Sequence, residues 1–313
     1  MTNPTACPVP AAAAPLVAFR PRHAFFVGVD SDGCAMDVME IKHERCFGPA
    51  FVAWFGLDAV ADVALETWRF VNLRSTSRGL NRWRALARTL ELLRERPEVA
   101  ARGAVVPAGR ELAGFIASGH PLSDAGLRAY ATEHPGPEIA ACLAWTEAVN
   151  AAVPAAVRDS GPFPGVREAL AAIAGKADIM VLSAGNLRTL EHEWKAHDLI
   201  RHVALVAGQD MGTKAEHLAR AAAGKYDDDA ILLIGDAPAD RDAAAQVGGL
   251  YYPVLPGRES ESWRRFTAEA LPRFLAGTYR GEYQDALLAE LAAALPDTPP
   301  WTSWPSTPPP TTS

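Results

Sequence analysis

The sequence predicts an α/β fold in which a parallel sheet carries helices on both faces and a helical segment interrupts the chain after the first strand. Five apolar runs of strand length alternate with helical patterns, and continuous apolar runs are typical of parallel strands buried on both faces. From about residue 38 to residue 157, helical spacing replaces the strand pattern. The predicted strands are 24–29, 179–182, 203–206, 230–234 and 249–255, and helices are expected near 165–174, 187–198 and 214–224.

These patterns divide the chain into a discontinuous core, an insertion and two tails. The Ala- and Pro-rich amino terminus and the Pro-rich carboxyl terminus are both expected to be disordered. The predicted segments are 1–21 (disordered), 22–37 with 158–258 (core), 38–157 (helical insertion), 259–295 (two helices) and 296–313 (flexible tail).

Composition excludes several classes of protein. With 313 residues, 49% hydrophobic and 21% charged, the chain is of the globular type. A net charge of -7 argues against a nucleic-acid partner, and no apolar run approaches the ~18 residues of a membrane span. The 4 cysteines form no C-x-x-C pair, and the first basic residue follows the faintly apolar amino-terminal run, which is the wrong order for a signal peptide. We therefore expect a cytoplasmic protein with reduced thiols and no membrane partner.

Polar residues follow four of the predicted strands at the point where each strand ends. The carboxyl ends of parallel strands meet at one edge of a sheet, which is where ligands bind in open α/β folds. Taken singly, an Asp or a Ser in this place can simply cap the next helix, and a lone Lys is usually solvated. The joint placement of these residues, however, predicts a catalytic site. The residues are Asp30 and Asp32 after the first strand, Ser183 after the second, Lys214 after the third, and Asp236 and Asp240 after the fourth.

In this order, the residues resemble the motifs of the haloacid dehalogenase-like hydrolase superfamily, most of whose members are phosphatases. Its first motif, Asp-x-Asp-Gly after an apolar strand, matches Asp30 to Gly33. Ser183 and Lys214 match its second and third motifs, and Gly235 to Asp240 match the fourth. The resemblance covers about residues 23–257 and implies a Rossmann-like sheet with a helical cap inserted after the first motif.

The resemblance also implies a mechanism and a metal. Asp30 would attack phosphorus to form an aspartyl-phosphate, and Asp32 would transfer protons to the leaving alcohol and from water. Mg²⁺ would bind the Asp30 carboxylate, the Asp32 backbone carbonyl and Asp236, because a hard cation prefers oxygen ligands. Asp240 would orient Lys214 or a metal-bound water.

The phosphate itself would be held by Ser183, Lys214 and backbone N–H groups near Gly33, since fixed positive charge is the main catalytic device in phosphoryl transfer. Two positions depart from the family pattern. Cys34 follows Gly33 where Thr is frequent, and Ala215 follows Lys214 where many relatives have Pro. We interpret Cys34 as a small packed residue beside the site.

The insertion is expected to select the substrate. Arg74, Arg78 and Arg82 recur every four residues and would share a face if the segment were helical. We therefore consider them as ligands of a polar or anionic small molecule, such as a sugar phosphate or an acid phosphate, against the alternative of a solvated helix face. The expected partner is a small-molecule phosphate ester, with the oligomeric state left open.

Other functions remain possible at this point. One alternative is a phosphosugar mutase of the same superfamily, which would also keep both carboxylates. Mutases of the superfamily carry a His soon after the first motif, and Lys42 and His43 lie at about that place in this chain. A non-catalytic binding protein on the same fold is a further alternative, and the presence of all four motifs argues against it. A calcium loop is excluded because Ile41 stands at its twelfth position, where Glu is needed. The helices of 259–295 are expected to pack on the core or between subunits, and Trp301 and Trp304 to lie in an exposed tail or to dock.

Overall fold

A computed structural model describes residues 10–303 and confirms the α/β fold class. One five-stranded sheet has the order β3-β2-β1-β4-β5, and every neighbouring pair is parallel. All five strands lie within two residues of the predicted bounds, because each one is a short apolar run that is buried on both faces. The strands are β1 (Phe25–Val29), β2 (Ala177–Leu182), β3 (Leu205–Ala207), β4 (Ile231–Gly235) and β5 (Leu250–Pro253).

Helices cover both faces of this sheet. One face, with Val27 and Val29, packs in a first apolar cluster, and the other, with Phe26 and Met180, packs in a second. The helices are α1 (Ala14–Ala18), α2 (Met39–Lys42), α3 (Gly48–Trp54), α4 (Ala61–Leu73), α5 (Arg82–Arg94), α6 (Pro97–Ala101), α7 (Arg110–Ala117), α8 (Asp124–Glu133), α9 (Pro137–Ala156), α10 (Val166–Ile173), α11 (Leu187–Ala196), α12 (Lys214–Ala221), α13 (Pro238–Gln246), α14 (Glu259–Arg265), α15 (Leu271–Leu275) and α16 (Glu282–Ala294). The π-helical stretches His43–Phe47 and Phe266–Ala270 continue α2 into α3 and α14 into α15.

The insertion between β1 and α10 consists of helices α2 to α9 joined by loops, with no strand among its described residues. It has an apolar core of its own, separate from the two clusters on the sheet. Trp68, Trp83 and Trp145 are at its centre, and the rings of Trp68 and Trp83 each lie edge-on to that of Trp145, at 5.8 and 5.7 Å. The Trp145 indole N–H donates to the Phe47 carbonyl at 3.2 Å, so α9 is tied to the start of the insertion.

One helix among the described residues has the length and hydropathy of a membrane span, which the sequence had not suggested. This is α9, with 20 residues and a mean hydropathy of 1.3 in its most apolar window. Its buried residues, which include Ile139, Cys142 and Val149, pack in the core of the insertion.

The amino-terminal segment differs from its prediction. Disorder was expected over 1–21, but Leu16 in α1 is fully buried in the second cluster. The Lys225 ammonium donates to the carbonyls of Leu16 and Phe19, each at 3.1 Å. Leu16 and Ala13, both buried in this cluster, and the Lys225 cation order a segment whose composition suggested disorder. Residues 1–9 lie outside the described part.

The carboxyl-terminal helices pack on the core, which answers a question that the sequence left open. Trp263, Phe266 and Phe274 are fully buried against the sheet. Beyond α16, the chain folds back onto the insertion: the Thr76 hydroxyl donates to Asp297 at 2.8 Å. Residues 296–303, here called the C-terminal segment, therefore join core to insertion.

Trp301 of the C-terminal segment packs against two side chains of the insertion. Its ring lies 5.3 Å from that of Phe70, and the Arg96 guanidinium stands over it at 4.3 Å, a favourable cation–π geometry. Trp301 thus docks, whereas an exposed tail had been the favoured prediction for 296–313. The prediction for Trp304 lies outside the described residues.

We expect Trp145→Ala to lower the free energy of unfolding by about 3–5 kcal/mol, because it removes the ring at the centre of the insertion core. Trp54→Ala is the matched control, since Trp54 is 49% exposed and its loss should change stability by less than about 0.5 kcal/mol. Urea unfolding followed by far-ultraviolet circular dichroism measures both. Equal effects of the two substitutions would contradict the description of this core.

Candidate active site

The loop after β1 is held rigidly from below. Asp30 leaves the central strand, and the Ser31 carbonyl accepts from the N–H groups of Ala35 and Met36 at 2.9 and 2.8 Å. Two buried indole N–H groups also hold this loop in place. Trp194 donates to the Ser31 hydroxyl at 3.0 Å, and Trp263 donates to the Cys34 carbonyl at 2.8 Å. The Asp30 carboxylate is therefore presented in a defined place at the edge of the sheet.

Three buried carboxylates meet at this edge. Oxygen atoms of Asp30, Asp236 and Asp240 lie within 4.8 Å of one another. The Lys214 ammonium, from the first residue of α12, lies 2.7 Å from Asp30 and 2.5 Å from Asp240. The sequence placed these residues at the ends of β1, β3 and β4, and the structure brings them together.

The charges of this cluster do not balance. Against its three carboxylates stand two cations, Lys214 and the Arg78 guanidinium that pairs with Asp236. Burial raises the pKa of Asp30 well above its ordinary value; Lys214 opposes this rise, and the nearby carboxylates of Asp240 and Asp236 add to it. Burial alone would lower the pKa of Lys214, but Asp240 and Asp30 outweigh it and raise that pKa. The site favours an additional cation, and oxygen ligands of this kind suit a hard divalent ion.

Arg78 reaches this cluster from the insertion. Its Nε and Nη2 donate to Asp236 Oδ2 at 2.6 and 2.5 Å, and its Nη1 donates to the Leu73 carbonyl at 3.1 Å. Gly33 makes room for the pair: it has φ +79°, and a Cβ there would lie 2.6 Å from Arg78 Nη2 and 2.8 Å from Asp236 Oδ2. Any side chain at Gly33 would collide with this ion pair.

Asp32 stands apart from the carboxylate cluster. Its Oδ2 accepts from the Lys42 ammonium at 2.6 Å, and Lys42 lies 3.7 Å from Glu193. Burial alone would lower the pKa of Lys42, but Asp32 and Glu193 outweigh it and raise that pKa. Lys42 was noted in the sequence only as a neighbour of His43, and Glu193 was missed because nothing in α11 marks it.

Asp30, Asp32, Ser183, Lys214 and Asp236 all open onto one cavity of about 200 Å³ between the core and the insertion. Ser183 is buried at the end of β2, where its hydroxyl accepts from the Gly185 N–H at 3.1 Å. The insertion supplies the opposite wall. That wall includes Met39, Lys42, His43, Phe47, Trp68, Asn72, Leu80, Asn81, Arg82, Trp83, Leu122, Ser123 and Asp124.

The three arginines predicted to share a helix face do not do so, because residues 74–81 are not helical. Gly79 has φ +79°, and the Asn81 side chain caps α5 by accepting from the Trp83 N–H at 3.1 Å. Of the arginines, Arg74 pairs with Glu40 in an exposed position, Arg78 pairs with Asp236, and Arg82 lines the cavity.

The backbone donors expected near Gly33 are used within the loop itself. The Gly33 N–H donates to the Met36 carbonyl at 2.9 Å, and the Cys34 N–H to the Ser31 carbonyl at 3.3 Å.

Burial raises the pKa of Cys34 well above its ordinary value, with a further contribution from Asp30. Cys34 is thus a protonated, packed thiol, in line with its interpretation from the sequence.

His43 belongs to the aromatic wall of the cavity. Its Nδ1 accepts from the Trp68 indole N–H at 3.1 Å, and its ring stacks on Phe47 at 4.9 Å. Burial lowers the pKa of His43 to about 3, helped by the charges of Arg78, Lys42 and Arg82. The imidazole is therefore neutral and presents Nε2 as a donor.

Comparisons with known proteins find similarity to solved structures of haloacid dehalogenase-like hydrolases, the superfamily that the motifs resemble. A hydrolase of this family from Streptococcus pneumoniae is 15% identical, with a TM-score of 0.43 over 80% of this chain and 98% of that one. A putative phosphoglycolate phosphatase from Lactobacillus delbrueckii subsp. bulgaricus is 12% identical, with a TM-score of 0.44 over 73% and 85%. The L-2-haloacid dehalogenase from Xanthobacter autotrophicus is 16% identical, with a TM-score of 0.36 over 85% and 86%. No family model and no curated protein matches the chain, so the case for function rests on the site residues.

We expect the free energy of unfolding of the His43→Gln variant to fall less than that of the wild type as the pH is lowered. The pKa of His43 is lowered to about 3 in the folded state, so only the unfolded chain gains a proton there as the pH falls below the ordinary value. That group's contribution is complete above about pH 6.5 and is lost at roughly 1.4 kcal/mol per pH unit below it. Between about pH 6 and about pH 4.5, the variant should therefore lose about 2 kcal/mol less than the wild type. Urea titrations at several pH values measure this, and the control is the exposed His192→Gln; equal slopes in wild type and His43→Gln would contradict the buried neutral imidazole.

Proposed function

We propose that this chain is an enzyme of the haloacid dehalogenase-like superfamily. More particularly, it would be a magnesium-dependent phosphatase that hydrolyses a small phosphorylated metabolite through an aspartyl-phosphate. The observation that carries the proposal is the buried Asp30 carboxylate, held 2.7 Å from Lys214 within an acidic cluster and opening onto the cavity beneath the insertion. A carboxylate nucleophile beside a fixed cation is the arrangement that attack on a phosphate ester requires.

The donor set fits Mg²⁺. Asp30, Asp236 and the Asp32 backbone carbonyl would hold the ion. Asp240 would not bind it directly but would orient Lys214, with which it pairs. When bound, the ion supplies the positive charge that offsets repulsion between the nucleophile and the phosphate. The uncompensated carboxylate charge of the cluster supports this assignment.

The steps in this proposal use the side chains as the structure places them. A carboxylate oxygen of Asp30 bonds to phosphorus while the ester P–O bond breaks, and the leaving oxygen takes a proton from the Asp32–Lys42 pair. The same pair then takes a proton from water, and the water oxygen bonds to phosphorus while the P–O bond to Asp30 breaks, which releases inorganic phosphate and the free Asp30 carboxylate. Lys214 and the Ser183 hydroxyl would bind the phosphoryl oxygens throughout.

The insertion wall supports a small substrate that is polar and carries little charge. Trp68 and Phe47 offer apolar faces beside the amides of Asn72 and Asn81. The Arg82 guanidinium, the cation that the wall adds beside Lys42, is already shared: its Nη1 lies 3.4 Å from Asp124, 2.6 Å from Thr146 and 3.2 Å from Asn150. A neutral leaving group such as a sugar suits this wall better than an acid.

We further propose that the enzyme acts in the cytoplasm with no nucleic-acid or membrane partner. Free, buried thiols at Cys34, Cys46 and Cys142 support a reducing compartment.

We expect Asp30→Asn to abolish phosphate release, by about a thousandfold or more, because an amide cannot replace the attacking carboxylate. The assay is a phosphate-release screen of the purified protein across phosphorylated metabolites, with Mg²⁺ and with a chelator. Asp242→Asn is the matched control, since Asp242 is 58% exposed and pairs with Arg241 on α13. Equal release by wild type and Asp30→Asn, with circular dichroism showing both folded, would exclude the proposed mechanism.

We also expect Asp124→Asn to shift selectivity toward acid phosphates by roughly tenfold, because Arg82 loses its counter-charge in a partly buried position. The measurement is kcat/KM on a sugar phosphate and on the phosphorylated sugar acid of the same length. Glu147→Gln is the control, since it breaks an exposed pair with Arg128 on the same part of the insertion. An unchanged ratio in Asp124→Asn would show that Arg82 does not select the leaving group.

A further inference from the structure

The Arg78 guanidinium neutralises Asp236, one of the three carboxylates that could hold a metal ion. Its side chain is 1% exposed although it comes from a loop of the insertion, and two of its nitrogens bind the same oxygen, Asp236 Oδ2. Burying a guanidinium is costly unless its charge is compensated. The compensation here comes from Asp236, a carboxylate of the acidic cluster.

The loop that carries Arg78 is built to reach this far. Gly79 has φ +79°, and a Cβ there would lie 2.6 Å from the Cβ of Ala237, the residue after Asp236. On its other side, the loop is held by the C-terminal segment, since the Thr76 N–H donates to the Pro296 carbonyl at 3.3 Å. The contact between Arg78 and Asp236 thus depends on how closely the insertion approaches the core.

A divalent ion and Arg78 would compete at Asp236. Both are cations, and the guanidinium already takes one of the two oxygens that Asp236 can offer to a metal. Two cations held a few ångströms apart in a buried site repel each other strongly. A cation entering the cluster would therefore weaken or displace the arginine.

A second cavity gives the displaced side chain a place to go. The Arg78–Asp236 pair stands between two cavities, with Asp236 lining the first and Arg78 lining the second. The second cavity is acidic, because Asp37, Glu40 and Glu259 line it as well. The guanidinium can leave Asp236 and remain among carboxylates.

We propose that Arg78 is an exchangeable counter-ion of Asp236, which neutralises the site before metal binding and is displaced when a divalent cation binds. Loading of the metal is then coupled to a movement of the 74–81 loop of the insertion. This inference rests on the metal site of the proposed function, but not on the identity of the substrate.

The test is Mg²⁺ affinity, measured by isothermal titration calorimetry without substrate. Removal of the competing charge in Arg78→Gln should tighten Mg²⁺ binding by roughly tenfold or more relative to the wild type. Arg69→Gln is the matched control, because it removes an arginine of the insertion that pairs with Glu44 at 46% exposure, and its affinity should equal that of the wild type. Equal or weaker binding by Arg78→Gln would overturn the proposal.

A second measurement needs no variant and so does not depend on the folding of Arg78→Gln. Hydrogen–deuterium exchange of the wild type should show faster exchange over residues 74–81 when Mg²⁺ is added, and unchanged exchange with bound metal would overturn the coupling. If calorimetry shows no Mg²⁺ binding to either protein, the inference and the proposed metal site fail together. If the wild type releases phosphate with Mg²⁺ but Arg78→Gln binds the ion no more tightly, the inference alone fails.

Discussion

The structure depends on the need to neutralise three carboxylates that the sheet brings to one buried edge. Asp30, Asp236 and Asp240 cannot all be ionised away from water without cations beside them. The core supplies one cation, Lys214, and the insertion supplies another, Arg78. The electrostatic demand of the site is thus met only when the core and the insertion are together.

This demand gives the insertion a role beyond that of a cover. Its aromatic wall encloses the cavity, its Lys42 holds Asp32, and its Arg78 holds Asp236. The Lys42–Asp32 and Arg78–Asp236 contacts therefore join two parts of the chain that have separate apolar cores. Binding of an anionic ester or of a metal would change the charges on which the contacts depend, so chemistry at the site and the position of the insertion are linked.

Local patterns in the sequence could predict the sheet and the residues that meet at its edge. The strands are apolar runs, and the residues at their ends converge because parallel strands end at one edge. The pairing of Arg78 with Asp236 could not be predicted, because it joins residues 158 positions apart through the docking of two separately packed bodies. The helix expected through Arg74 and Arg78 fails for a local reason that was present in the sequence: Gly79 and the Asn81 cap mark a turn before α5. Composition misled at the amino terminus, where the buried Ala13 and Leu16 outweigh an Ala- and Pro-rich background.

The C-terminal segment changes the mechanics of the whole enclosure. If only the two chain connections near residues 38 and 157 joined the insertion to the core, the insertion could rotate about them. Only its contacts with the core would then oppose that rotation. Here the C-terminal segment is a third stretch of chain that crosses from the core to the insertion. It is held there by the hydrogen bond between Asp297 and Thr76 and by Trp301 against Arg96. Any movement of the insertion away from the core would therefore have to break these contacts. The C-terminal segment, far in sequence from Asp30, thereby adds to the free energy that separating the insertion from the core would require.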